Sequence, residues 1–156
     1  MERMNFFAKS GNAMKALGGF PVYLSKCSID SKLQHLIFIR VSMINGCSYC
    51  LDMHTKDLRL MGETEQRMLL LGAWREVYRI YTAKERAALA WAEAVTLVAN
   101  ASVSDAVYAE AAAHFSEQEL ADLTVSVIAI NAYNRINAAF HTPAGDYQPG
   151  QFAAAH

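Results

Sequence analysis

Charge of one sign, long apolar runs, cysteine and proline are all scarce in this chain, and each scarcity closes off a class of protein. Fourteen Lys and Arg stand against 15 Asp and Glu, a formal net charge of −1, so no basic surface argues for a nucleic-acid partner. No stretch approaches the roughly 20 apolar residues of a membrane span. The opening Met1-Glu2-Arg3-Met4-Asn5 leads into a short mixed stretch rather than an apolar leader core. The expectation is therefore a cytoplasmic protein with no membrane partner. Three cysteines do not make the disulfide framework of a secreted domain. With three prolines, abundant Ala and Leu and no convincing strand alternation, an all-α domain is the economical reading. What is present is apolar material, 53% of 156 residues, enough for one well-filled domain.

Caps and breaks order the helices. A first segment is expected from Phe6 to Leu17, stopping at Gly18-Gly19 with Pro21 beyond, and a short one from Val22 to Lys26. Ser28 or Asp30 can cap a helix carrying Leu33 to Ile44; its Leu36-Ile37-Phe38-Ile39-Arg40-Val41 core is β-branched enough to mimic a strand, but the apolar positions fall at helical intervals. A helix from Cys47 to Met61 should end at Gly62, and Thr64 can start another through Leu71. Thr82 with Glu85 and Ser116 with Glu119 match capping boxes and open helices at Ala83–Ala99 and Glu117–Phe140, with Asp105–His114 between. The helical domain thus spans 1–142. Residues 143–156, with Pro143, Gly145, Pro149 and Gly150, form a non-helical tail, mobile or pinned to a neighbouring subunit.

Chemistry concentrates in Asn45-Gly46-Cys47-Ser48-Tyr49-Cys50-Leu51-Asp52-Met53-His54. Residues three and four apart on a helix are neighbours, so Cys47, Cys50 and His54 should line one face. Asn-Gly is a turn signal, which places the thiols at the start of a helix, where unpaired N–H groups favour an anion and lower a thiol's pKa. A reactive thiolate is the reading; spacing alone does not say which sulfur attacks, although His54 lies one turn from Cys50. Cys27 reads as a core residue.

The segment Arg40 to His54, followed by Gly62, resembles the core signature of the AhpD-like alkylhydroperoxidases of the carboxymuconolactone decarboxylase superfamily. Glu85 to Ala94 and Ile130 to Arg135 also look like segments of that family. The resemblance implies an AhpD-like helical bundle assembled into homotrimers or homohexamers. It also implies a peroxidase acting on organic hydroperoxides without haem, flavin or metal, through a redox-active Cys47–Cys50 disulfide. Cys50 matches the thiol that attacks the hydroperoxide, Cys47 the resolving thiol, and His54 the histidine that assists deprotonation. A dithiol reductant, a lipoyl group or a redox protein, would close the cycle. Two positions depart: His35 stands where the family places a glutamate, and Tyr49 where the best-described members have a histidine. A neutral His35 could still pass a proton, a charged one would weaken His54 as a base, and His35→Glu is expected to raise the rate.

Blander readings stand beside these. Cys47, Cys50 and His54 are possible zinc ligands, but no fourth has ligand spacing, His114 and His141 included. The two cysteines could be small buried residues, His35 an ordinary helix residue, and Tyr49 either a phenol facing the substrate pocket or a packed aromatic. Asn131, Asn134, Arg135 and Asn137 interrupt an apolar helix; a polar subunit contact comes first and pocket lining second. Trp74, Trp91, Tyr78 and Tyr81 read as core or interface aromatics, and Glu63, Glu65, Arg67, Lys84, Glu85 and Arg86 as solvated helix-end charges. A non-catalytic redox sensor or small-ligand binder is the alternative function, and a decarboxylase-branch enzyme a third that the cysteine pair argues against.

Overall fold

The computed structural model describes residues 1–152; residues 153–156 of the expected tail lie outside the described residues. Among the described residues every regular element is helical. Three short helices, α1 (Phe6–Lys9), α2 (Gly11–Leu17) and α3 (Gly19–Leu24), replace the expected pair. Ser10 breaks the first segment, and Gly18 serves as a junction rather than a stop. Pro21 falls inside the first turn of α3, where its missing N–H costs nothing. This arm lies on the end of the chain's last long helix: the rings of Phe6 and Phe140 stack with centroids 5.1 Å apart, and Tyr133 donates a hydrogen bond to the Leu17 carbonyl at 3.0 Å.

The central element is α4 (Ser31–Asn45), capped by Asp30. Its Leu36, Ile37, Ile39 and Val41 are all buried, because α4 packs against α5 (Ser48–Leu60), α7 (Ala83–Thr96) and α9 (Glu117–Phe140). A helix surrounded on several sides loses its polar stripe, which explains its strand-like composition. Ile37, Val41, Cys47, Cys50, Ala88, Trp91, Leu123, Val127 and Ile130 form one apolar cluster. Leu36, Ile39, Leu58, Met68, Leu71, Trp74, Tyr81 and Leu89 form a second beneath α6 (Glu65–Leu70) and a 3₁₀ turn, Leu71–Glu76. The helix α8 (Asp105–His114) leans on α7. Both capping boxes are formed, Gly62 takes φ 81° after α5, and α7 stops at Thr96, one turn short of expectation.

Several surface expectations change. Tyr78 is 69% exposed and belongs to no core. Cys27 is only half-buried, receiving an N–H from Gln34 at 3.4 Å. Arg67 bridges Glu63 and Glu85, and Arg86 donates to the Trp74 and Arg75 carbonyls, so these charges tie elements together instead of standing in solvent. The tail is fastened to α5 of its own chain. Lys56 donates to the Gly145 and Tyr147 carbonyls at 2.8 and 3.0 Å, the Gly145 N–H donates to Asp52, and the Tyr147 hydroxyl donates to Asp57 at 2.8 Å.

Candidate functional site

The site is made by the corner between α4 and α5. Gly46 ends α4 in the left-handed region, φ 66°, where a side chain would be strained. Cys47 then occupies the N-cap of α5, a position usually held by an oxygen-bearing residue. Its sulfur accepts the Cys50 N–H at 3.4 Å. The Cys47 carbonyl accepts the Leu51 N–H, so the thiol sits where the helix concentrates its unpaired donors.

Both thiols are buried, Cys50 at 0% and Cys47 at 2% exposure, and both are free. Their proximity splits their acidities. The Cys50 side chain first, then the Cys50 and Tyr49 N–H groups and Asn134, outweigh burial and bring Cys47 down to about 7. Cys50 is pushed up, first by the Cys47 side chain, then by burial and the Cys47 charge. Cys47 is thus the more acidic member of the pair.

Polar groups from α4 and α9 complete the enclosure. Asn134, fully buried, donates to the Ser42 hydroxyl at 3.0 Å and accepts from Asn45 at 2.9 Å. Asn137 donates to the Cys50 sulfur at 3.4 Å. Asn131 accepts from Asn45 at 3.0 Å and donates to Thr96 at 2.9 Å, and Arg135 bonds back to Asn131. Asn134 and Asn137 thus lie in the interior beside the thiols, while Arg135 is exposed. Asn134 and Asn137, three residues apart, could have been placed on one face from spacing. Asn45 read only as a turn residue, and its link to α9 has no signal in the sequence.

His54 is 9% exposed and held well below the ordinary imidazole value by burial and by His35. His35, reaching from α4, is also lowered by burial, with Asp57 opposing. The two rings lie 5.2 Å apart at 73°, and Phe38 packs against both. His35 is therefore brought to the site and is the neutral form of the two considered. Tyr49 is partly buried against the apolar cluster, and its phenol is raised by burial and by the charges of Cys50, Asp52 and Cys47. Asp57, one turn beyond His54, went unnoticed in the sequence although its spacing was legible. Among the described residues, His35, His54 and Asp57 bring three donor atoms within 4.8 Å of one another. Cys47, Cys50 and His54 form no such group, so the zinc set considered from sequence is not assembled. His114 instead faces Glu110 at 3.6 Å.

The family model described as carboxymuconolactone decarboxylase matches residues 8–94, which contain the whole α4–α5 corner. The chain belongs to the carboxymuconolactone decarboxylase family. Within that family it is similar to the uncharacterized protein YdfG of Bacillus subtilis, 39% identical over 138 residues, covering 88% of this chain and 93% of that protein. The crystal structure of a protein of unknown function from Agrobacterium tumefaciens, proposed as an antioxidant defence protein AhpD, is 37% identical. It superposes with a TM-score of 0.90 over 94% of this chain and 100% of that one. The debrominase Bmp8, 22% identical, with a TM-score of 0.79 over 90% of this chain and 75% of its own, shares the fold. The chain is thus an AhpD-like member of the superfamily.

Proposed function

We propose that this AhpD-like chain is a thiol peroxidase, more broadly a disulfide oxidoreductase, that reduces organic hydroperoxides through Cys47 and Cys50. The observation that carries this reading is the buried pair of neighbouring thiols, in which the acidified Cys47 sulfur at a helix N-cap accepts the Cys50 backbone N–H. Such a pair holds a nucleophile and its resolving partner in contact. Transfer of the Cys50 proton to His54, one turn away on α5, makes a thiolate at Cys50. That thiolate attacks the terminal O–O bond, giving a Cys50 sulfenic acid and an alkoxide that leaves as the alcohol once protonated. The Cys47 thiol then condenses with the sulfenic acid, releasing water and forming the disulfide. A dithiol, a lipoyl group or a redox protein, returns the pair to the reduced state by exchange. No cofactor beyond the cysteine pair enters this scheme, and a homotrimer or homohexamer is the proposed assembly, which light scattering measures.

Intact mass of the reduced, metal-free protein after one equivalent of cumene hydroperoxide tests it. The wild type should lose two hydrogens, Cys50→Ser should stay unmodified, and Cys47→Ser should trap an added oxygen. Oxygen trapped in Cys50→Ser instead would exchange the two roles, and unmodified thiols in all three proteins would overturn the proposal. Burial of both sulfurs favours one second reading, a slow redox sensor. It would form the disulfide once and show no turnover with dihydrolipoamide.

A further inference from the structure

We propose that Asp57 is a positioning residue for the thiol site: its carboxylate fixes the His35 and His54 imidazoles, and the C-terminal tail, through Tyr147, fixes Asp57. The inference rests on the thiol-redox reading above. Three elements meet here. From α5 come His54 and Asp57, three residues apart and so on one face; from α4 comes His35; from the tail comes Tyr147, 6% exposed, whose hydroxyl donates to Asp57 Oδ1 at 2.8 Å. The donor atoms of His35, His54 and Asp57 lie within 4.8 Å of one another. The Nδ1 atoms of both histidines are buried without a hydrogen-bond partner, a condition a structural pair would not be expected to carry without cost.

The chemistry of the thiol step gives those atoms a use. A proton that leaves Cys50 for His54 creates a buried imidazolium, which needs a nearby negative charge. Phe38 covers both rings and supplies none. The other titratable groups are placed elsewhere: Arg40 of α4 is held by Glu93 at 2.6 Å, Lys56 pairs with Asp52 at 2.9 Å, and α9 offers Cys50 only the neutral Asn137. Tyr49 lies close enough to Tyr147 to disfavour its ionisation. Burial and Asp57 hold Tyr147 protonated, hence a donor, while the Asp57 charge favours the protonated form of His35. The proton accepted by His54 is thus drawn toward His35 and the carboxylate, away from the sulfur.

Imidazole NMR of the reduced full-length chain, with iodoacetamide alkylation of Cys50 in a Cys47→Ser background across neutral pH, tests the proposal without any peroxide. In Asp57→Asn the His35 titration should move to lower pH and Cys50 alkylation should slow by about tenfold, the equivalent of one pKa unit. Asp57→Glu should recover most of both, and Tyr147→Phe should shift both in the same direction by less. Unchanged imidazole titrations and alkylation profiles in Asp57→Asn would overturn the proposal. So would an equivalent of zinc retained by the wild type and lost from Asp57→Asn. If Asp57→Asn does not fold, Tyr147→Phe decides by the same readouts. A wild type that cumene hydroperoxide leaves unoxidised would sink the peroxidase reading, while the imidazole shifts would still decide the role of Asp57.

Discussion

At the residue scale the asymmetry between the two cysteines matters most. Cys47 is acidified by donors that converge on an N-cap, and Cys50 supplies one of them. A thiolate absorbance titration should therefore show one group ionising near 7, and Cys47→Ser should remove it. A signal that survives in Cys47→Ser and vanishes in Cys50→Ser would reverse the assignment. Asn134 is the other residue with large leverage. It is fully buried and joins Asn45 to Ser42, so Asn134→Ala leaves orphaned polar groups and should cost about 1–3 kcal/mol, read from urea unfolding. It should also raise the Cys47 titration, since Asn134 helps hold that charge. The cysteine–histidine spacing and the oddity of the α9 amides were visible in the sequence. Their meeting was not, because Asn45 and Asn134 are 89 positions apart.

At the element scale the decisive feature is the α4–α5 corner. The Cys47 N–H donates to the Ser42 carbonyl at 3.0 Å while Gly46 turns the chain with φ 66°. An alanine there keeps the turn only in a strained left-handed conformation, at about 1–2 kcal/mol. Gly46→Ala should accordingly lower the urea midpoint and, by displacing the N-cap, raise the Cys47 titration. A stability loss with an unchanged thiol would separate the two roles of the corner. The capping boxes and the Asn-Gly break were read correctly because each is a local device in which neighbouring residues satisfy each other's backbone groups. The first helix was misjudged at Ser10, and the boundary of α7 at Thr96, because helix ends depend on what the next turn packs against.

At the scale of the whole molecule, buried titratable groups set the response to acid. His35 and His54 both have lowered pKa values in the fold, chiefly through burial. The unfolded chain binds protons more readily than the native one as pH falls through 6.5, the ordinary value, so stability is full above that pH and declines below it. Glu93 adds a later stage. Burial opposes its charge, but Trp74, Arg40 and Arg75 outweigh it and hold its pKa below 4.5, so its contribution is present above that value and is lost in stronger acid. Thermal unfolding followed from neutral to acid pH should show the first decline in wild type and a weaker one in His54→Gln; identical profiles would remove His54 from the account. Sequence by itself determined the helical class, the caps and the cysteine–histidine face, because these depend on composition and on residues within a turn or two of each other. Only the tertiary structure decided that Cys47 is the more acidic thiol, that α9 amides lie against the sulfurs, and that the tail reaches Asp57. Those depend on groups far apart in sequence sharing a space without water, where direction and distance, not residue type, set the energies.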